Sequence, residues 1–169
     1  MMIQSPRMDE TDFASILSLL KHEQVDFILI GGLAAMAMGS ARATVDVDVV
    51  YSRDDDNMNR LAQALKPYEP YMRGAPPGLP FTWDPATIRG GLNFTLSTTL
   101  GDLDVLGEVA GGGTYEQLHP FTEPIRIFDI DLDCVTLAKL IQLKKAAGRP
   151  KDLEVIAELE ALQEEGERR

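Results

Sequence analysis

Phe13, Ile16, Leu17 and Leu20 recur at the spacing of one helical face, behind Asp9, Thr11 and Asp12 as candidate caps. Val25 to Ile30 is a continuous apolar run and predicts a buried strand. Gly31-Gly32 predicts a sharp turn into a short helix from Leu33 to Met38. A second strand is expected from Ala43 to Tyr51. After it, Asp54 to Asp56 cap a helix whose apolar face is Met58, Leu61, Ala62 and Leu65. Between Pro67 and Gly91 six prolines and four glycines replace periodicity, which predicts a long irregular loop of functional character. Leu92–Thr98 and Asp102–Gly107 read as a hairpin joined at Gly101, and Ile125–Cys134 as a further strand. Thr136 caps a helix to Ala147, Gly148 and Pro150 interrupt it, and Asp152 starts a terminal helix. The order predicts an α+β (mixed α/β) fold with helices at both ends.

The chain has 169 residues, expected to form a single domain with a core large enough to need no staple. An apolar share of 44% and a charged share of 25% fit a soluble globular protein. The formal charge of -11 argues against a protein that coats duplex DNA or an anionic membrane. A nucleotide stays possible, because Mg²⁺ can meet its charge locally. Cys134 is alone, which suits a reducing cytoplasm. The segment Met1 to Asp12 lacks the apolar stretch of a signal peptide. The run Phe27–Gly39 is shorter than the roughly 20 residues that span a bilayer.

The chemistry concentrates in Ile30-Gly31-Gly32 and, after thirteen intervening residues, Asp46-Val47-Asp48. On a strand, Asp46 and Asp48 share a face with Arg42 and Thr44 and stand about 6.6 Å apart. Two such carboxylates can converge on a pair of Mg²⁺ ions, which prefer oxygen ligands and retain substrate phosphates. The glycines allow backbone N–H groups at a helix start to approach a phosphate. Singly, each feature reads as surface or turn; in this order and spacing the functional reading is preferred. Asp129, Asp131 and Asp133 also alternate, but no glycine turn precedes them, and they read as the wet face of a late strand. There is no Gly-x-Gly-x-x-Gly, no calcium loop and no nucleophile elbow, and His22 and His119 lack partners at metal spacing.

Gly31-Gly32 followed by Arg42-x-Thr44-x-Asp46-x-Asp48 resembles the signature of the nucleotidyltransferase fold, the polymerase-beta-like superfamily. More narrowly, the chain is similar to small bacterial abortive-infection toxin nucleotidyltransferases. Gly101-Asp102-Leu103-Asp104 and the stretch from Lys144 through Arg149-Pro150-Lys151-Asp152 support the likeness, which covers about residues 20 to 160. The resemblance implies a central mixed sheet flanked by helices, two Mg²⁺ ions with Mn²⁺ as a substitute, and transfer of a nucleoside monophosphate from an NTP to an acceptor. It also implies a third carboxylate on a neighbouring strand. Asp104, enclosed by Leu103, Val105 and Leu106, is preferred over Asp102, which reads as a hairpin residue.

Gly31 and Gly32 are then expected to cradle the triphosphate. Arg42 and Thr44 lie on the carboxylate face, with Arg42 meeting either phosphate or Asp46. Lys144 continues the stripe of Leu137, Leu140 and Ile141 and should face inward, toward a triphosphate or an aspartate, unless it snorkels to water. Arg149, Lys151 and Asp152 read equally well as an interhelical turn. The loop 67–91 is expected to supply acceptor contacts through Arg73, Trp83 and Arg89. Family members modify tRNA, proteins or small molecules, and a toxin role would imply a cognate antitoxin. A non-catalytic nucleotide-binding partner with the same fold is the alternative.

Overall fold

The computed structural model describes residues 10–168, so the proposed cap Asp9 lies outside the described residues. The first helix, α1 (Phe13–His22), is capped by Asp12, whose carboxylate accepts from the Ser15 amide, and it buries Ile16, Leu17 and Leu20. The buried strand β1 (Phe27–Ile30) leads into α2 (Gly31–Ala37), then β2 (Asp46–Tyr51) and α3 (Asp55–Leu65). All four expected apolar residues of α3 are buried. Next come β3 (Tyr71–Met72), α4 (Pro85–Gly90), and the hairpin β4 (Asn93–Thr98) and β5 (Gly101–Leu106). A small ribbon of β6 (Glu108–Val109) and β7 (Gly113–Thr114) precedes α5 (Tyr115–Leu118). The chain ends in β8 (Thr122–Ile127), β9 (Ile130–Val135), α6 (Leu137–Ala147) and α7 (Leu153–Glu167).

Seven strands form one sheet in the order β3-β4-β5-β2-β1-β9-β8. The pairs β2–β5 and β1–β9 are parallel and the others antiparallel, so the sheet is mixed. Every residue of β1 is buried, which requires apolar cover on both faces of the centre. On β2 and β5, Val47, Val49, Leu103 and Val105 are fully buried, while Asp46, Asp48, Asp102 and Asp104 alternate with them. The aspartates therefore share the opposite face. Helix α2 lies against β1, β2 and α6, and α7 packs on α6.

Four sequence expectations shift. The second strand begins at Asp46 rather than Ala43, because Ser40, Ala41 and Arg42 are bonded to Glu158 and Glu154 of α7 and the Val45 carbonyl accepts from Thr11. Helix α2 starts at Gly31 itself. The stretch read as one strand from Ile125 to Cys134 is a hairpin, turned by Phe128 and Asp129 at φ 51° and 60°. That pair of positive φ values is the tight hairpin turn that Asn-Gly normally signals. The Pro/Gly stretch 67–91 is partly ordered: it holds β3 and α4, and Arg53 ties it down by donating to the carbonyls of Ile88 and Arg89.

Candidate active site

The parallel pairing of β2 with β5 sets Asp46 beside Asp102 and Asp48 beside Asp104. Oxygens of Asp46, Asp48 and Asp104 all lie within 4.8 Å of one another. The antiparallel pairing of β1 sets Ile30 beside Asp48, so the chain enters Gly31 directly against that carboxylate. Gly31 has φ +72°, and a Cβ there would overlap the Asp48 carboxylate, standing 2.8 Å from its Cγ. At Gly32 a Cβ would lie 2.7 Å from Thr44 Oγ1. The two glycines are thus explained by the close approach of an acid and a threonine, before any phosphate is considered. Thr44 in turn donates to the Asp46 carboxylate at 3.3 Å.

Asp48 is the electrostatic centre of the group. Burial pushes its carboxyl up to about 8, helped by a hydrogen bond with Asp104 and the charges of Asp46 and Asp104; Lys144 pulls the other way. Lys144 faces inward as expected, with Nζ 3.7 Å from Asp152 Oδ1 and only 16% of its side chain exposed. Asp152 is buried and is gripped by Arg149 through Nε at 2.8 Å and Nη2 at 3.3 Å. The Arg149–Asp152 turn therefore also anchors the lysine.

The remaining candidates separate. Arg42 does not pair with Asp46; it reaches Glu154 at 3.2 Å and Glu158 at 3.8 Å, because α7 offers two acids on that side. Trp83 is no contact residue: it is buried and stacks edge-on against Phe94 at 5.3 Å. Arg89 pairs with Asp55 on α3. Arg73 is placed in the acid cluster itself, 2.5 Å from Asp104, 3.6 Å from Asp102 and 3.7 Å from Asp46. Sequence reasoning assigned it to an acceptor loop, since a two-residue strand gives no periodic signal that would aim it at β5. Asp102 is more than a hairpin residue, for it faces the same arginine.

A cleft of about 570 Å³ opens over these groups. Gly31, Gly32, Asp46, Asp48, Asp104 and Lys144 line one side, and Leu106, Val109, Leu140 and Leu143 supply apolar wall. The donor set is all oxygen, as a hard divalent cation requires. The space against Asp48 that a Cβ would fill is left open by Gly31. These residues fit a divalent metal.

A pH effect follows for the protein freed of divalent ions. The folded chain holds a proton on Asp48 that the unfolded chain releases near the ordinary value of 3.8. A raised folded pKa gives stability that is complete below the unfolded value and lost as pH rises through the folded one. The melting temperature in chelator is therefore expected to fall between about pH 4 and pH 8 and to level off above, and Asp48→Asn should flatten that fall. Differential scanning fluorimetry across that range checks it; an equal slope in both proteins would contradict the assignment to Asp48.

No family model and no curated relative matches the chain by sequence. Solved structures do match. The lincosamide antibiotic adenylyltransferase LnuA, in a lincomycin-bound crystal structure, aligns over 91% of this chain and 99% of its own, with a TM-score of 0.60 at 16% identity. A Thermotoga maritima protein, TM1012, described as a candidate nucleotidyltransferase, aligns over 93% of this chain and 91% of its own, with a TM-score of 0.50 at 12% identity. The mixed sheet flanked by helices, with its C-terminal helices, is thus a nucleotidyltransferase fold.

Proposed function

We propose that this chain is a divalent-metal-dependent nucleotidyltransferase, with residues 1–169 forming one catalytic unit. The observation that carries the reading is the convergence of Asp46, Asp48 and Asp104 at a glycine-opened cleft. Asp46, Asp48 and Asp104 would hold two Mg²⁺ ions, or Mn²⁺ in their place. When bound, such ions neutralise charge on the phosphates and make an acceptor hydroxyl more acidic.

The chain's own groups do the rest. Gly31 and Gly32 open α2 with amide N–H groups that have no partner inside the helix, and these meet the triphosphate. Thr44 orients Asp46, and Lys144, anchored by Asp152, offers a cation to the phosphates. The acceptor oxygen bonds to the α-phosphorus, the bond to the bridging oxygen breaks and pyrophosphate leaves. Asp104 takes the hydroxyl proton on a carboxylate oxygen.

The likeness to a lincosamide adenylyltransferase makes ATP and a small hydroxylated molecule the first donor and acceptor to test. The charge of -11 disfavours a long nucleic acid, leaving tRNA ends and proteins as further acceptors. The deciding experiment incubates the protein with each α-labelled NTP, Mg²⁺ or Mn²⁺, and bacterial lysate, with mass spectrometry of labelled products. Absence of label on every RNA, protein and small molecule, with no NTP binding by calorimetry, would sink the proposal. An abortive-infection role in the cytoplasm, with a cognate antitoxin, predicts growth arrest on expression that Asp46→Ala abolishes; harmless expression argues against it.

A second reading is favoured by one contact. Arg73 already pairs with the acids that catalysis needs, as expected of a nucleotide-binding partner without turnover. Tight NTP binding without transfer, unchanged in Asp104→Asn, would support it.

A further inference from the structure

Arg73 follows directly on β3, and its amide donates to the Thr95 carbonyl of β4 at 3.0 Å. Its side chain crosses β4, donating from Nη2 to the Leu96 carbonyl at 2.9 Å, and ends among the acids of β5 and β2. There Nη2 bonds Asp104 Oδ1 at 2.5 Å, Nη1 stands 3.7 Å from Asp46 Oδ2, and Nε stands 3.6 Å from Asp102 Oδ2. Of the three acids, Asp104 alone stands at hydrogen-bond length. Nε is buried and finds no acceptor among the described residues. The guanidinium is held by charge more than by a fitted hydrogen-bond network.

Two of the three carboxylates suited to a divalent ion, Asp46 and Asp104, are those that Arg73 neutralises. A guanidinium cannot shed its charge by losing a proton, so it yields the site only by moving. Asp102 stands one pleat along β5 from Asp104, is not part of the ligand trio, and already faces Arg73. Its side chain is 35% exposed, against 15% for Asp104.

We propose that Arg73 is the resident counter-cation of the acid cluster, and that an entering divalent ion displaces it from Asp104 and Asp46 toward Asp102. This rests on the metal-site reading above and adds to it a built-in competitor. Arg73 holds the three like charges of Asp46, Asp102 and Asp104 together while the metal is absent and makes the metal's affinity lower than the acids alone would give. Asp102 is thereby a positioning residue that receives the guanidinium.

The experiment measures Mn²⁺ affinity of the nucleotide-free full chain by calorimetry and by the EPR signal of free Mn²⁺. Removing a unit charge at such distances should tighten binding in Arg73→Gln by at least about tenfold. The same variant should melt lower than the natural protein in chelator and gain more from saturating Mn²⁺. A merely structural role predicts the opposite, since a loosened cluster binds metal more weakly. Unchanged or weaker affinity in folded Arg73→Gln would overturn the inference. If that variant fails to fold, Arg73→Met, which keeps the apolar stem and removes the charge, takes its place; it should tighten binding likewise, and unchanged or weaker affinity overturns the inference equally. Mn²⁺ binding by the natural protein with no change in the variants defeats this inference alone. Absence of Mn²⁺ binding in all forms defeats the metal-site reading with it.

Discussion

Asp104→Asn is expected to keep the fold and the NTP affinity while losing turnover by more than about 10²–10⁴-fold, the usual worth of general acid–base help. The loss should exceed that range because the same side chain would also ligate metal. Asparagine has nearly the shape of aspartate, so β5 and its pairing with β2 should persist. It carries no charge for a cation and no basic oxygen for the acceptor's proton. Asp104 stands beside Asp48, shares a hydrogen bond with it, and belongs to the convergent trio. Asp102 sits beside Asp46 but lies outside the trio, and its charged contact is Arg73. Asp102→Asn should cost no more than about tenfold at saturating Mg²⁺, the range for altering a partly exposed ion pair. Paired rates at saturating NTP and Mg²⁺, with NTP affinity by calorimetry, decide the matter. A large loss in Asp102→Asn with little in Asp104→Asn would reverse the assignment. Equal, small effects would favour the non-catalytic reading.

What could be read from the chain was local. The stripe of α1, the run of β1, the cap of α6 and the β4–β5 hairpin each depend on residues within a few positions of one another. The Asp-x-Asp pair was legible for the same reason, since alternation alone puts both carboxylates on one face. The errors involve distant partners. Ala43 to Val45 has strand-like residues, yet Glu154 and Glu158, more than a hundred residues away, hold the segment leading into it. The β8–β9 turn was missed because Phe128-Asp129 adopts positive φ without the glycine or asparagine that announces it. Trp83 in a proline-rich stretch suggested recognition, but β4 brings Phe94 beneath it and closes the core.

The site shows the same division. Alternation could propose either Asp102 or Asp104; only the register of β5 on β2 sets Asp104 beside Asp48. Arg73 had no periodic signal at all, and its place in the acid cluster comes from β3 joining the sheet edge, with β4 and β5 between it and β2. The glycines were legible as a turn into α2, but the close packing behind them was not visible. Their substitution tests the packing independently of the nucleotide.

Gly31→Ala is expected to abolish metal binding and turnover together and to destabilise the fold, whereas Gly32→Ala should do much less. Two costs add at Gly31. Its φ of +72° is a left-handed conformation that costs a residue with a Cβ roughly 1–2 kcal/mol. The new Cβ would also occupy the space of the Asp48 carboxylate, 2.8 Å from Cγ. The fold can relieve that overlap by turning Asp48 away, which separates it from Asp46 and Asp104 and opens the trio. At Gly32 the obstacle is Thr44, with Oγ1 at 2.7 Å and Cβ at 2.8 Å. Thr44 lies outside β2, where the backbone is not locked into the sheet and can give way. Disturbing it costs the contact to Asp46, not a ligand. Urea denaturation, Mn²⁺ titration and label transfer on both variants give the comparison. The expected pattern is a stability loss of about 1–3 kcal/mol with no measurable Mn²⁺ binding for Gly31→Ala, against near-natural Mn²⁺ affinity for Gly32→Ala. Retained Mn²⁺ binding in a folded Gly31→Ala protein would show that Asp48 is not needed to hold the ion.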